Sequence, residues 1–262
     1  MPYETIRFEI QNGVARLTLN RPDKLNSFNI AMHGEVRDAL EQTLNDASAR
    51  VLILTGAGRA FCAGQDLGDR AVAPGGDVDL GESIEKYYAP LVRSLRALPM
   101  PVLCAVNGIA AGAGAQIALA CDIVIAAKSA SFIEPFSKLG LIPDTGGTYF
   151  LPRLVGTARA MGISMLGEKI SAEQAAVWGL IWRAVDDPDL AKTVDAIAGQ
   201  LAAGPTRGLA RIKEAIYASA NNRFEQQLEL ERDLMRELGR SYDYREGVAA
   251  FLEKRAPEFK GM

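Results

Sequence analysis

The sequence predicts an α/β fold that ends in a run of helices. Through the first half, short apolar strands alternate with helical stretches. Two of those strands lead into turns rich in Gly and Ala, and beyond residue 188 the strands give way to four helical segments. Strands separated by helices argue for right-handed βαβ units around a parallel sheet.

Residues 13–20 (Gly-Val-Ala-Arg-Leu-Thr-Leu-Asn) alternate apolar and polar, the pattern of a strand. Residues 29–45 carry apolar side chains at 32, 36, 39, 40 and 44, which predicts an amphipathic helix. Val51-Leu-Ile-Leu-Thr55 is apolar throughout and ends in Gly56-Ala-Gly58, as a buried parallel strand would. Residues 81–97 read as a helix, 102–106 as the next buried strand, 113–120 as a helix and 123–126 as another strand. Ser171-Ala-Glu-Gln174 is a capping box that opens a short helix. Residues 188–203, 206–220, 223–238 and 241–254 read as helices, punctuated by Gly204-Pro205 and Gly239. This divides the chain into a core over 1–200 and a helical region over 201–262. In the helix over 223–238, Phe224, Leu228, Met235 and Leu238 share one face, and Leu230, Leu234 and Leu238 form a second stripe. Two apolar faces point either to oligomerisation or to further internal packing. The low-complexity stretch over 73–81 reads as a loop, and Gly75-Gly76 would let it act as a lid or simply leave it disordered.

Composition narrows the function. The 262 residues are 48% hydrophobic, ample for a large core, and carry a net charge of −3 with no basic face for nucleic acid. Cys62, Cys104 and Cys121 are odd in number and far apart, with no C-x-x-C pair, which predicts buried thiols in a reducing cytoplasm. The N-terminus lacks the apolar segment of a signal peptide. The apolar run over 101–127 is interrupted by Asn107, Gln116 and Asp122, so strand, turn and buried helix explain it better than a membrane span of about 20 residues.

Three segments carry the chemistry. The first turn is Ala60-Phe-Cys-Ala-Gly-Gln-Asp-Leu67, and the second runs from Val106 to Gln116 through Gly108, Gly112 and Gly114. Small residues let backbone approach a ligand, and a helix N-terminus offers unpaired N–H groups to a developing oxyanion. As a dinucleotide fingerprint the second turn fails, because its sixth position is Ile117 and Asp122 comes too early for a ribose. Tight packing and an oxyanion hole both remain open. The third segment is Leu139-Gly-Leu-Ile-Pro-Asp-Thr-Gly-Gly-Thr148, where Asp144 reads either as an acid/base group or as a helix N-cap. His33, the single histidine, reads as a surface or packing residue.

Asn20-Arg-Pro-Asp-Lys-Leu-Asn26, Phe61-Cys-Ala-Gly-Gln-Asp-Leu67, Asn107-Gly-Ile-Ala-Ala-Gly-Ala-Gly114 and Leu139-Gly-Leu-Ile-Pro-Asp-Thr-Gly-Gly147 occur in order. With these motifs the chain resembles the crotonase (enoyl-CoA hydratase/isomerase) superfamily over essentially its full length. Within it, Phe136-Ser-Lys-Leu-Gly-Leu-Ile-Pro-Asp144, Leu228-Glu-Leu-Glu-Arg-Asp233 and Ser241-Tyr-Asp-Tyr-Arg-Glu-Gly247 resemble the branch that isomerises ring-epoxidised phenylacetyl-CoA in bacterial phenylacetate breakdown. The resemblance implies a spiral of ββα units with a C-terminal helical trimerisation region, assembled as a homotrimer or a dimer of trimers. It also implies a cytoplasmic enzyme for acyl-CoA thioesters, associated with other phenylacetate or fatty-acid degradation enzymes. Coenzyme A enters as part of the substrate, and no metal, nicotinamide, flavin or other cofactor is expected. By motif, the oxyanion donors are the backbone N–H groups of Gln65 and Ala113. Lys24, Leu25, Ala63, Asp66, Leu67 and Gly68 are implied to hold CoA, and Phe259 and Lys260 to reach it from another subunit. Asp66 reads equally as a residue that only shapes its turn, and Leu67, Tyr87, Tyr88 and Phe136 either line an aromatic acyl pocket or serve as plain core.

The two glutamates of hydratases fall at Gln116 and Phe136, neither of which transfers a proton at neutral pH, whereas Asp144 falls where some isomerases place their working aspartate. The expected activity is therefore isomerisation. The substrate is a ring-1,2-epoxyphenylacetyl-CoA converted to oxepin-CoA, a 3,4-enoyl-CoA shifted to 2,3, or both. Asp144 shuttles the proton, orients the substrate or stabilises charge, with its pKa raised among Leu141, Ile142 and Pro143. The alternatives are a hydratase that recruits Glu134 or Asp144, and a non-catalytic CoA-binding scaffold.

Overall fold

The computed structural model describes residues 2–66, 68 and 79–262, and among these the strands form two sheets. The larger has six, in the order β1 (Ile6–Gln11), β2 (Val14–Leu19), β3 (Val51–Gly56), β5 (Val102–Val106), β7 (Ile123–Ala127) and β10 (Arg183–Val185). Only β1 and β2 pair antiparallel; the other neighbours are parallel. The smaller sheet orders β4 (Ala60–Cys62), β6 (Ile109–Ala111), β8 (Ser131–Ile133) and β9 (Lys169–Ser171), with β9 antiparallel to β8. The chain repeatedly lays a strand in the large sheet, steps to the small one and returns through a helix. This is the ββα spiral expected above.

Sequence pattern accounts for the central elements. Every residue of β5 is buried, as its unbroken apolar run requires, while β2 buries alternate residues Ala15, Leu17 and Leu19. Helix α1 (Ile30–Asn45) starts where Asn29 accepts a 2.9 Å bond from the Met32 N–H, a standard N-cap. It buries Met32, Val36, Ala39 and Leu40, but Leu44 is exposed. The inner face ends at Thr43, whose hydroxyl donates to the Ala39 carbonyl.

The helix expected over 81–97 is interrupted. It runs as α2 (Leu80–Ser83), a π-helical turn over Ile84–Tyr88, and α3 (Ala89–Ala97). Such wide turns recur where a side chain must be re-aimed at a functional site. Helix α4 (Ala113–Leu119) is wholly buried. A long helix the sequence pattern did not reveal, α5 (Gly147–Leu166), breaks at Gly156; that glycine and Pro152 disrupt its apolar period. Of the capping box opening α6 (Ala172–Trp178), the Ser171 half forms, accepting from the Gln174 N–H at 3.1 Å.

The last four helices fall where expected: α7 (Leu190–Ala202), α8 (Thr206–Ser219), α9 (Phe224–Leu238) and α10 (Tyr242–Glu253). α7 lies on the large sheet, against β2, β3, β5 and β7. α8 is pinned to the core by Lys213, whose ammonium meets the Asp122 carboxylate at 2.9 Å and the Leu95 carbonyl at 2.9 Å. Asp122 also accepts from the Val102 N–H and the Tyr217 hydroxyl, so it is a structural knot far from any ribose role. On α9, Phe224, Leu228 and Met235 are exposed. The three cysteines are buried free thiols, and among the described residues no helix is long and apolar enough to cross a membrane.

Candidate active site

The two Gly/Ala turns meet. At Gly64, with φ +88°, an added Cβ would lie 2.8 Å from the Ala111 carbonyl oxygen and 3.3 Å from the Ala113 nitrogen. At Gly114 it would lie 2.3 Å from the Cys62 carbonyl oxygen. Only glycine permits this approach. The contact sets the Gln65 N–H, on the first turn, beside the Ala113 N–H at the start of α4. Neither donates to a backbone carbonyl among the described residues. Two free amides beside a helix N-terminus are a site for negative charge on oxygen.

The surrounding motif residues brace this pair. Asn26, fully buried, donates to the carbonyls of Ala57 and Ala60 at 2.9 and 2.8 Å. Asn107 donates to the Gly58 carbonyl and accepts from the Gly56 N–H. Tyr88, carried on the π-helical turn, donates its hydroxyl to the Gln65 side-chain oxygen at 2.8 Å. Tyr88 is therefore buried beneath the first turn, against Phe28 and His33, and does not sit as a free pocket wall. His33 is buried as well, stacked on Tyr87 with ring centroids 5.0 Å apart, which settles it as a packing residue.

The residues expected at CoA are partly brought together. The Ala63 N–H donates to the Leu25 carbonyl at 2.9 Å, which joins the Lys24–Leu25 loop to the first turn. Asp66 is committed within the turn. It pairs with Arg21 at 2.8 Å and accepts from the Gly68 N–H, and the Arg21 guanidinium holds its carboxyl below the usual range. Leu67 and residues 73–78 of the expected loop, Gly75 and Gly76 included, lie outside the described residues. Phe259 and Lys260 are elsewhere. The Phe259 carbonyl accepts from Arg50 at 3.2 Å, Lys260 donates its N–H to Asp243 at 2.7 Å, and the Lys260 ammonium lies over the Tyr242 ring. Arg50 precedes the first residue of β3, whereas the first Gly/Ala turn follows its last. Within one chain the tail thus occupies the opposite end of that strand.

The acid side of the site is built from side chains. Asp144 is half-buried and accepts from the Thr145 hydroxyl at 2.8 Å. It is not the N-cap of α5: that position belongs to Gly146, in the left-handed region with φ +94°, and no side chain caps it. Nor do Leu141 and Ile142 enclose it, since both are exposed, Ile142 at 75%. Apolar burial instead falls on Glu134. That residue is 2% exposed, and desolvation pushes its carboxyl up to about 8. The nearby Gln116 amide moderates the rise and the Asp144 carboxyl adds to it, so the three side chains form one cluster. Gln116 is fully buried one turn along α4 from Ala113. Its amide nitrogen lies 2.7 Å from where a Cβ on Gly147 would be, hard against the Asp144 loop. Both Gln116 amide atoms and Glu134 Oε2 lack hydrogen-bond partners among the described residues. Two buried polar side chains set against one another are unusual in a plain core. Phe136 is buried against Gly112, consistent with its place beside the second turn. Among the described residues no three His, Cys, Asp or Glu side chains gather as metal ligands.

From sequence, Glu134 had a role only in the hydratase alternative, and its burial beside Gln116 was not expected. The available signal was a single acid set inside Ser131-Phe-Ile-Glu-Pro-Phe136, where apolar neighbours on both sides forecast burial.

Comparison with known proteins gives a consistent picture. Residues 9–262 match the enoyl-CoA hydratase/isomerase family. The chain is 58% identical over 259 residues to the 1,2-epoxyphenylacetyl-CoA isomerase of Escherichia coli, covering 98% of this chain and 99% of that one. It is 52% identical over 261 residues to a protein of Rhodobacter capsulatus named probable enoyl-CoA hydratase, covering both in full. Among solved structures, the enoyl-CoA hydratase of Bacillus anthracis superposes with a TM-score of 0.91 at 35% identity, over 99% of this chain and 100% of that one. The chain belongs to the enoyl-CoA hydratase/isomerase family, and its fold is that of the crotonase superfamily.

Proposed function

We propose that this member of the family is an acyl-CoA isomerase. Its substrate is a ring-1,2-epoxyphenylacetyl-CoA, converted to oxepin-CoA, and it also shifts a 3,4 double bond to 2,3 in an enoyl-CoA. The observation that carries the reading is the meeting of two free backbone N–H groups, at Gln65 and Ala113, next to a cluster whose half-buried carboxyl is Asp144. The 58% identity to an isomerase named for the epoxide supports the choice of acyl group.

In this mechanism the thioester oxygen accepts from both amides. Each such donor contributes about 3–4 kcal/mol as charge develops on that oxygen. The α carbon becomes acidic, Asp144 removes its proton, and the electron pair moves through the β carbon to the γ carbon. The same carboxyl then returns the proton at the γ carbon, and nothing is gained or lost overall. For the ring epoxide, the C–C bond under the oxygen opens first to a seven-membered ring. The oxygen stays bonded to the β carbon, and the same α-to-γ transfer gives the conjugated product. Hydration finds less support, because the two positions that carry glutamates in hydratases are Gln116 and Phe136.

On this reading Lys24, Leu25, Ala63, Gly68 and the Asp66 turn receive the nucleotide end of CoA, with Phe259 and Lys260 supplied by a neighbouring subunit. The exposed Phe224, Leu228 and Met235 of α9 support a homotrimer or dimer of trimers, with residues 1–200 as core and 201–262 as the helical region. A monomeric mass by light scattering would count against that assembly. The enzyme works in the cytoplasm on this reading, without a metal or redox cofactor.

The test is Asp144→Asn, assayed on the epoxidised phenylacetyl-CoA and on 3-hexenoyl-CoA with products identified by mass spectrometry. Turnover of both falls about 10²–10⁴-fold while affinity for the CoA ester stays within about threefold. Unchanged turnover in Asp144→Asn, or wild-type enzyme that places labelled water into the product as a hydroxyl, sinks the assignment.

A further inference from the structure

We propose that the first turn of α10 is a mount for the tail, in which Asp243 fixes the backbone at 260–261 and Tyr242 holds the Lys260 ammonium. Mounted this way, the tail presents a preset cation to a phosphate at the nucleotide end of a neighbouring subunit's CoA. Asp243 and Tyr242 are positioning residues that act through Lys260. This rests on the reading that Phe259 and Lys260 serve a neighbour's CoA, and it says how they are held for that task.

The observations lie in Ser241-Tyr-Asp-Tyr-Arg-Glu-Gly247, a motif the isomerase mechanism does not use. Ser241 caps α10, accepting from the Tyr244 N–H at 3.0 Å. Asp243 is only 5% exposed, unusual for a carboxylate, and the tail takes both its oxygens. Oδ1 accepts from the Lys260 N–H at 2.7 Å and Oδ2 from the Gly261 N–H at 2.9 Å. The Asp243 N–H donates in turn to the Met262 backbone oxygen at 3.1 Å. One turn on, Glu246 accepts two bonds from the Arg255 guanidinium, at 2.6 and 3.0 Å, and one from the Glu258 N–H at 2.7 Å. The Phe259 ring covers Gly247, where an added Cβ would lie 3.5 Å from it. Gly261 has φ +79°, and a Cβ there would come within 3.1 Å of the Thr206 hydroxyl oxygen. Arg50 closes the far side, donating to the Phe259 and Gly204 carbonyls and to Thr206.

Segments outside helices and strands fray unless something ties them down. Here the backbone N–H groups of 258, 260 and 261 all end on carboxylates of α10. What the tie leaves outward is Lys260, which is exposed, with its ammonium 4.3 Å from the centre of the Tyr242 ring. Glu246, an acid close enough to feel that charge, is committed to Arg255. An aromatic face attracts a cation without neutralising it, so the charge stays available to a phosphate. An ammonium held in place beforehand also avoids the ordering cost that a loose lysine meets on binding.

The experiment compares Lys260→Ala, Asp243→Ala and Tyr242→Leu with the wild type, after light scattering has shown an unchanged assembly mass. Kinetics set 3-hexenoyl-CoA against 3-hexenoyl-pantetheine, which lacks the nucleotide. Calorimetry with hexanoyl-CoA reads affinity whatever reaction the enzyme catalyses. Lys260→Ala and Asp243→Ala each raise KM and Kd for the CoA ester by about fivefold or more, the scale of one charge-assisted contact. The loss is confined to KM, and kcat/KM on the pantetheine ester stays within about twofold. Tyr242→Leu moves the same quantities by a smaller factor. Combining Asp243→Ala with Lys260→Ala adds less than about twofold to the larger single loss, because both act through one contact. A loss in Lys260→Ala with wild-type values in Asp243→Ala keeps the contact and overturns the mount. An equal loss on both esters in Asp243→Ala marks a merely structural role and overturns it too. Should Asp243→Ala fail to assemble, Tyr242→Leu decides, since it leaves the Asp243 bonds in place: an unchanged Kd overturns the mount. A wild-type Kd in Lys260→Ala removes the tail's contact with CoA itself, and the mount with it.

Discussion

The two walls of the site are made in opposite ways. One wall is backbone: the Cys62–Gln65 and Gly112–Gly114 segments, pressed together until no side chain fits at Gly64 or Gly114. Its polar groups are two amides that cannot rotate or ionise. The other wall is side chain: Gln116, Glu134 and Asp144, in which one buried acid is held near neutrality. A fixed wall suits a charge common to every thioester substrate. A wall of side chains suits the part of the reaction that differs between substrates. Catalysis in common should therefore be fragile to backbone displacement on the first wall, and selectivity should respond to substitution on the second.

The largest expected effect breaks the backbone wall. In Gly114→Ala the new methyl would lie 2.3 Å from the Cys62 carbonyl oxygen and 2.8 Å from the Cys62 Cβ. One turn must retreat, and the Gln65 and Ala113 amides separate. Losing one oxyanion donor alone is worth about 10²–10³ in rate, so kcat falls at least 100-fold on epoxide and enoyl esters alike, with a lower melting temperature. Gly162→Ala is the control. It lies within α5, where a Cβ meets nothing within 4 Å, and helix propensity favours alanine by about 1 kcal/mol. That variant keeps its kcat and melts slightly higher. If Gly114→Ala stays within threefold of wild type on both esters, the backbone wall does not carry the shared chemistry.

The same contrast explains what could be read in advance. Elements set by repeating patterns were legible: alternation in β2, the unbroken apolar runs of β3 and β5, and the four C-terminal helices. Gly64 and Gly114 were legible as turns because glycine is needed wherever backbone meets backbone, although which amides they bring together required the fold. The helix α5 was hidden, since Gly147, Pro152 and Gly156 erase the helical period that would announce it. The π-helical turn at Ile84–Tyr88 was hidden too, because one extra residue per turn leaves no compositional mark. On the second wall, residue type misled. Asp144 was expected to be the enclosed acid, yet Leu141 and Ile142 face outward, and enclosure falls on Glu134, ten positions earlier. Burial of one side chain depends on contacts distant in sequence, here α4 and the loop over 143–147, and no local window contains them.

A smaller effect sharpens the other side of the comparison, through stability and not rate. The Glu134 carboxyl is raised from an ordinary value of 4.5 to about 8, chiefly by desolvation, with Asp144 adding to the rise and Gln116 opposing it. The folded state therefore binds a proton that the unfolded chain has released at any pH between those values. Stability from this group is complete below about pH 4.5, declines as pH rises, and levels off above about pH 8. Glu134→Gln removes the titration and leaves the amide in the same partner-poor setting. Its stability relative to wild type should thus climb across that window and reach a net gain of about 2–3 kcal/mol at the plateau, after the amide's own unpaired donors are counted. Urea unfolding of both proteins from pH 4 to pH 9 measures the difference directly. A difference that is flat across the window would mean that Glu134 is solvated or ionised in the fold. The second wall would then be as settled as the first, with no proton held ready for a ligand.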